Sequence, residues 1–251
     1  MKKDSSTIVL TSSINNCHKN SKMLRIINSI INKKFKDKEN INITLIITAK
    51  IGVINKERNV VIKNMKRVYN SCIKKNISNA NINYIDCSDK SKFKENKNIM
   101  NNTDVLWFVG GDTMFLWYHL KQSGFDKIIK RKICNDNIVC IGCCAGAIIC
   151  GKTLFPVYVS RFNKKSKKRY INIMYKKKYW NKRTEKTFNF IDSDILPHCK
   201  NNSHNKDFYL KTRKVKCLSE DNPLIFNIND SMKRKNKKQK TKKLKTKKVK
   251  K

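Results

Sequence analysis

Residues 138–150 constrain this chain more than any other stretch, because Ile-Val-Cys-Ile-Gly-Cys-Cys-Ala-Gly-Ala-Ile-Ile-Cys changes its period at one residue. Before Gly142 the run is short, apolar and β-branched, which suits a buried strand. After Cys144 it is Ala, Gly and Ile at helical spacing. Cys144 therefore falls on a strand-to-helix turn. Such a turn strains the backbone and brings strand and helix together, so its neighbours must be small, and Gly142, Ala145 and Gly146 meet that need. Gly142-Cys143-Cys144-Ala145-Gly146 has the layout of a nucleophile elbow, with a thiol in place of the hydroxyl. A plainer account makes both cysteines small hydrophobes on a buried strand, where cysteine is common. Taken alone, the stretch leaves the two accounts level.

A second junction of the same kind lies upstream. Asp104-Val-Leu-Trp-Phe-Val109 reads as another buried strand and runs into Gly110-Gly111-Asp112-Thr113, after which residues 114–123 carry the pattern of an amphipathic helix. Glycines at a strand end let backbone N–H groups face a cleft, as an oxyanion hole requires; they also serve in any tight turn.

Residues 104–151, with Phe-Val-Gly-Gly-Asp-Thr, Leu120, Gly124 and Ile-Gly-Cys-Cys-Ala-Gly-Ala, resemble the dipeptidase E (aspartyl dipeptidase) family of serine peptidases. Ile8-Val-Leu-Thr-Ser-Ser13 is similar to that family's first strand and Thr44-Leu-Ile-Ile-Thr-Ala49 to its second. Phe190-Ile-Asp-Ser-Asp-Ile-Leu-Pro-His198 is similar to its Pro-His segment. The likeness spans most of residues 5–230. It implies a class I glutamine amidotransferase-like (flavodoxin-like) three-layer α/β sandwich, with a mostly parallel sheet and helices on both faces. It also implies hydrolysis of small peptides, including those with an amino-terminal aspartate. Three side chains would carry the reaction: Cys144 as nucleophile in the usual serine's place, His198 as base, and Glu220 as the acidic third member, with Asp221 competing. The N–H groups of Gly111 and Ala145 would form the oxyanion hole. Asp112 stands where the family has Asn or a small residue, and a carboxylate suits that place only if it points away. The aspartate would be read by basic residues after the Pro-His segment and near the elbow; Lys200, Lys206, Lys211, Arg213 and Lys214 all follow that segment, and none of them stands out. No cofactor is implied.

The residues themselves support part of this assignment. Of the four histidines, His18 and His204 sit in polar stretches and His119 inside a helix, whereas Pro197 fixes the backbone ahead of His198 at the end of an apolar strand. Cys144 should be the most reactive thiol, since a helix amino terminus favours a thiolate, and Cys143 should point away. Cys140 and Cys143 make one Cys-x-x-Cys inside a strand and its turn, with no second pair nearby, so zinc is not expected.

Alternation of strand and helix along the chain calls for a parallel sheet. Strands are expected at residues 8–11, 42–49, 81–86, 188–196 and 224–228, with helices at 23–35, 59–73 and 89–100; residues 157–159 and 170–174 are further strand candidates. One domain, 1–231, precedes a Lys-rich tail, 232–251, that should be disordered. The ten cysteines lie mostly on apolar runs and no leader is evident, so free thiols in a reducing cytoplasm are the simplest expectation. No run is apolar enough to span a bilayer. The net charge of +40 suggests attraction of RNA or another polyanion, above all by the tail, yet Lys, Asn and Ile dominate throughout and compositional drift accounts for it equally. The functional alternatives are an amidase or glutaminase-like enzyme of the same fold, a chaperone-like thiol protein, or an idle relative that binds polyanions.

Overall fold

The computed structural model describes residues 5–13, 22–53, 57–160, 186–199, 214–219 and 222–228. Its main sheet has six strands: β1 (Thr7–Thr11), β2 (Ile41–Ile46), β3 (Ala80–Ile85), β4 (Val105–Phe108), β5 (Val139–Cys143) and β8 (Leu224–Asn227). Their order across the sheet is β3-β2-β4-β5-β1-β8, and every pairing is parallel except the one between β8 and β1. A small parallel pair, β6 (Asp194–Leu196) and β7 (Val215–Cys217), stands apart. The α/β class with a mostly parallel sheet is as expected.

Strand periodicity divides the core into two layers. Ile8, Leu10, Leu106, Phe108 and Cys140 face one way and pack beneath α4 (Phe93–Asn101), α5 (Thr113–Ser123), α6 (Phe125–Asn135) and α7 (Ala145–Cys150). Val9, Val105, Trp107, Val139 and Ile141 face the other way, against α1 (Lys22–Lys34) and α3 (Arg58–Lys74). Because both faces are covered, β4 and β5 are buried throughout, which is why their sequences read as continuous apolar runs. Tyr69 of α3 meets Trp107 of β4 edge-on with ring centres 5.8 Å apart, locking helix to sheet.

Several boundaries differ from the sequence reading for physical reasons. The second strand stops at Ile46, and Thr48–Ile51 forms a short helix, α2, whose Thr48 hydroxyl accepts the Cys87 N–H. Helix α6 and strand β7 were not expected; Gly124, at φ 75°, ends α5 and starts α6 with no intervening loop, which merges the two patterns. Val60 is 42% exposed and lies outside the buried stripe of α3. Residues 157–159, a strand candidate, fall in α8 (Phe155–Ser160). Of the long strand expected over 188–196 only Asp194–Leu196 forms. Upstream, the N–H groups of Phe188, Asn189 and Phe190 donate to Ile149, Gly151 and Cys150 O, satisfying carbonyls at the end of α7 instead of building a ladder. Phe188 and Phe190 stack at 5.0 Å and fill the core there. The candidate strand at 170–174 and the tail lie outside the described residues.

Candidate active site

Four adjacent strands deliver their carboxyl ends to one place, where parallel α/β sheets hold their ligands. Taken across the sheet, β2 leads to Lys50 in α2, β4 to Gly110 and Gly111, β5 to Cys144, and β1 to Ser12 and Ser13. All of these residues line one cavity of about 190 Å³, with His198 and with Met65 and Tyr69 of α3.

Cys144 sits between β5 and α7 with φ 46° and ψ −99°, a conformation that non-glycine residues adopt only under constraint. The constraint is visible on both sides. Its N–H donates to Thr11 O at 3.0 Å, and its carbonyl accepts the Ile148 N–H at 3.1 Å. Helix α7 lies hard against the strands, since a Cβ on Gly146 would come within 2.4 Å of Phe108 Cβ and one on Gly142 within 2.8 Å of Gly146 O. The small residues of the motif are thus required by close approach. Cys144 is half-buried and borders the cavity, while the other free cysteines among the described residues are buried. Burial pushes the Cys87 thiol up to about 12 and raises Cys140, which is further raised by the neighbouring Cys150 thiol. Cys143 is buried in the α1/α3 layer, yet it also touches the cavity, so it is less remote than its position one residue before the turn suggests.

The glycine loop is set by equally tight contacts. Gly111 has φ 147°, and a Cβ there would lie 2.2 Å from Ala49 O. Gly110 faces the elbow, its place for a Cβ only 3.3 Å from Cys144 Cβ. Asp112 does point away: it is fully buried, its Oδ1 accepts N–H bonds from Met114 (2.8 Å) and Phe115 (2.9 Å), and it caps α5. The carboxylate is spent on the helix, not on the cavity.

His198 also lies in the left-handed region, at φ 58°. Its backbone N–H donates to the buried Ser12 Oγ at 2.6 Å, which ties the end of β6 to the end of β1. The next residue, Cys199, is disulfide-bonded to Cys217 at the end of β7, with Cα atoms 5.7 Å apart. This pairing corrects the expectation that all thiols are free. The structure therefore brings Cys144, His198 and Gly111 to one cavity, with Ala145 buried at the start of α7. Glu220, Asp221, His18, His204, Lys200, Lys206, Lys211 and Arg213 lie outside the described residues. Lys214 is exposed and is not among the cavity-lining residues; its carbonyl accepts the Asp194 N–H. His119 packs on Phe115 at 4.3 Å, and burial lowers its pKa. Sequence reasoning passed over Lys50 and Ser12; their signal was position, immediately after strands that end beside the glycine loop and the elbow.

The sequence profile of peptidase family S51 matches residues 8–232. The chain belongs to peptidase family S51. As an S51 peptidase it is a peptide hydrolase, and the fold agrees. A Listeria monocytogenes EGD-e protein named for peptidase E superposes with a TM-score of 0.59 at 18% identity, over 89% of this chain and 95% of its own. A peptidase from an acI-B1 Actinobacterium gives 0.58 at 14% identity, over 88% and 83%. No curated protein matches the sequence significantly. Among the described residues no cluster of His, Cys, Asp or Glu could hold a metal ion, and no helix is long and apolar enough to cross a membrane.

Proposed function

We propose that this S51 peptidase cleaves small peptides through Cys144, with His198 as base and the N–H groups of Gly111 and Ala145 as oxyanion hole. The observation that carries the reading is the constrained backbone of Cys144, which presents its thiol to a cavity shared with Gly111 and His198. His198 takes the thiol proton, and the thiolate attacks the peptide carbonyl. The carbonyl oxygen gathers negative charge facing the two amides. When the C–N bond breaks, His198 returns the proton to the departing amine, leaving a thioester on Cys144. Water, deprotonated by His198, then hydrolyses the thioester, releasing the acid and restoring the thiol. An acidic residue would orient the imidazole, and Glu220 or Asp221 is the candidate. The cavity's small volume suits a short substrate rather than a folded protein.

The test is a short-peptide library followed by mass spectrometry, alongside alkylation by limiting iodoacetamide at neutral pH. Turnover that vanishes in Cys144→Ala, with Cys144 labelled first, supports the reading; labelling of Cys143 or Cys17 ahead of Cys144 overturns the nucleophile. Ammonia release from glutamine without peptide cleavage would point to an amidase instead. A cytoplasmic setting is proposed on the buried free thiols, with the Cys199–Cys217 bond pulling the other way, and a non-reducing gel of protein taken from cells decides between them. The family match over residues 8–232 supports one domain over residues 1–231, and the lysine content of residues 232–251 supports polyanion attraction by that tail. Deleting the tail should leave melting and turnover unchanged while reducing salt-sensitive binding to single-stranded RNA.

A further inference from the structure

Lys214, the one described member of the basic residues expected after the Pro-His segment, does not line the cavity. The cavity offers another cation. Lys50 follows β2 and lines the same space as Cys144 and His198, half-buried, with no ion pair among the described residues. No carboxylate of the described residues lines that cavity, so Lys50 and His198 are the basic residues at its wall and nothing acidic opposes them there.

The backbone of Lys50 is fixed relative to the reaction centre. Its N–H donates to Ile47 O at 2.9 Å, and the neighbouring Ala49 carbonyl accepts the Asp112 N–H at 2.8 Å, clamping α2 onto the glycine loop. A Cβ on Gly111 would approach Lys50 N to 2.8 Å. Across the sheet the order is Lys50, then Gly110 and Gly111, then Cys144, then Ser12 with His198 bound to it. Strand β2 stands two strand spacings, roughly 10 Å, from β5, a gap that a lysine side chain shortens by more than half. Cys144 is thus flanked by the proton carrier on one side and a lysine on the other.

That order decides which part of the substrate meets which residue. The departing amine must lie on the His198 side to receive its proton, so the acyl residue extends toward the glycine loop and Lys50. On the proposed hydrolytic reading, the structure assigns Lys50 as a specificity-determining residue whose ammonium pairs with a carboxylate on the acyl residue's side chain. The lysine acts on recognition, not on the bond-making step.

The test compares the anilides of aspartate, asparagine and leucine on the wild type, Lys50→Met and Lys50→Arg, each checked for an unchanged melting temperature. The wild type should prefer aspartate over asparagine in kcat/KM by roughly ten- to a hundredfold, the size of a hydrogen bond to a charged group. Lys50→Met should bring that ratio to about one and Lys50→Arg should keep most of it. A ratio unchanged in Lys50→Met overturns the assignment while leaving the hydrolase reading intact. If Lys50→Met instead slows Leu-Leu relative to Leu-Leu-amide, the carboxylate is the leaving residue's and the assignment to the acyl side is wrong. A second readout needs no turnover: free aspartate should slow iodoacetamide labelling of Cys144 more than asparagine does, and Lys50→Met should abolish that difference. Lys50-dependent protection without turnover sustains the lysine's role and sinks the hydrolytic reading. No differential protection in the wild type sinks the lysine's role whatever the turnover.

Discussion

The two strand–turn–helix junctions follow one sequence pattern and end in opposite uses. At the end of β4 the turning residue is Asp112, whose backbone is extended (φ −79°, ψ 109°) and whose carboxylate satisfies two first-turn amides of α5. At the end of β5 it is Cys144, with φ 46°, ψ −99° and no side-chain cap on α7. A carboxylate at the first junction turns inward and completes the helix. A thiol at the second is a poor acceptor, so it stays at the cavity and the first amides of α7 are left for another partner. The proposed nucleophile sits where the turning residue is strained and uncapped, whereas the β4 junction pairs a capped Asp112 with Gly111, the proposed oxyanion-hole amide, at φ 147°.

That contrast can be broken experimentally. The largest effect should come from the proposed reacting groups: Cys144→Ala should abolish turnover, and His198→Ala should lower kcat/KM by about 100- to 10,000-fold with melting unchanged, while His119→Ala should leave turnover near wild type. Equal losses in the two histidine variants would remove His198 from its role. Next comes Gly111→Ala, which drives a Cβ into Ala49 O and forces a positive φ on alanine, and should cost about 3 kcal/mol or more in chemical denaturation.

The junctions themselves should respond with opposite signs. Asp112→Ala, which removes a cap, should lower stability by about 1–2 kcal/mol. Cys144→Gly, which relaxes a strained residue, should raise it by about 1 kcal/mol after the added chain entropy of glycine. Stabilisation by both, or destabilisation by both, would show that the two turns do not differ as described.

The smallest effect concerns pH. Burial depresses the pKa of His119 below the ordinary 6.5, against a smaller opposing pull from Asp86. The unfolded chain therefore binds more protons in the interval between the two values, and stability rises with pH there. Its contribution is complete above about pH 6.5 and is lost as pH falls toward the folded-state value. His119→Gln should flatten that part of a denaturation profile measured from pH 5 to 8, and an unchanged slope would place the titration elsewhere.

Much of this was legible because two signals coincide in the sequence. Buried strands in a doubly covered sheet must be apolar at every position, and the helices after them repeat near four, so the change of period marks each junction to within a residue or two. Gly142, Gly146 and Gly111 were legible as small residues because backbone approach excludes anything larger. Periodicity does not encode contacts between segments distant in sequence. Nothing local tells that Phe188 and Phe190 will donate to the end of α7 rather than extend a strand, or that Ser12 will hold the backbone of His198. Lys50 was hidden for a different reason: in a chain with 58 lysines and arginines, one basic residue carries no contrast until its position across the sheet is known.

The bond between Cys199 and Cys217 makes a closed ring of the chain, its ends 18 residues apart. Within a ring, the peptide backbone is no longer the sole connection between the His198 segment and β8, which returns to the sheet beside β1. A proteolytic nick between the two cysteines would leave one covalent molecule, and an insertion there would enlarge the ring without detaching His198 from β7. The two exits of that segment are thereby held together beside His198.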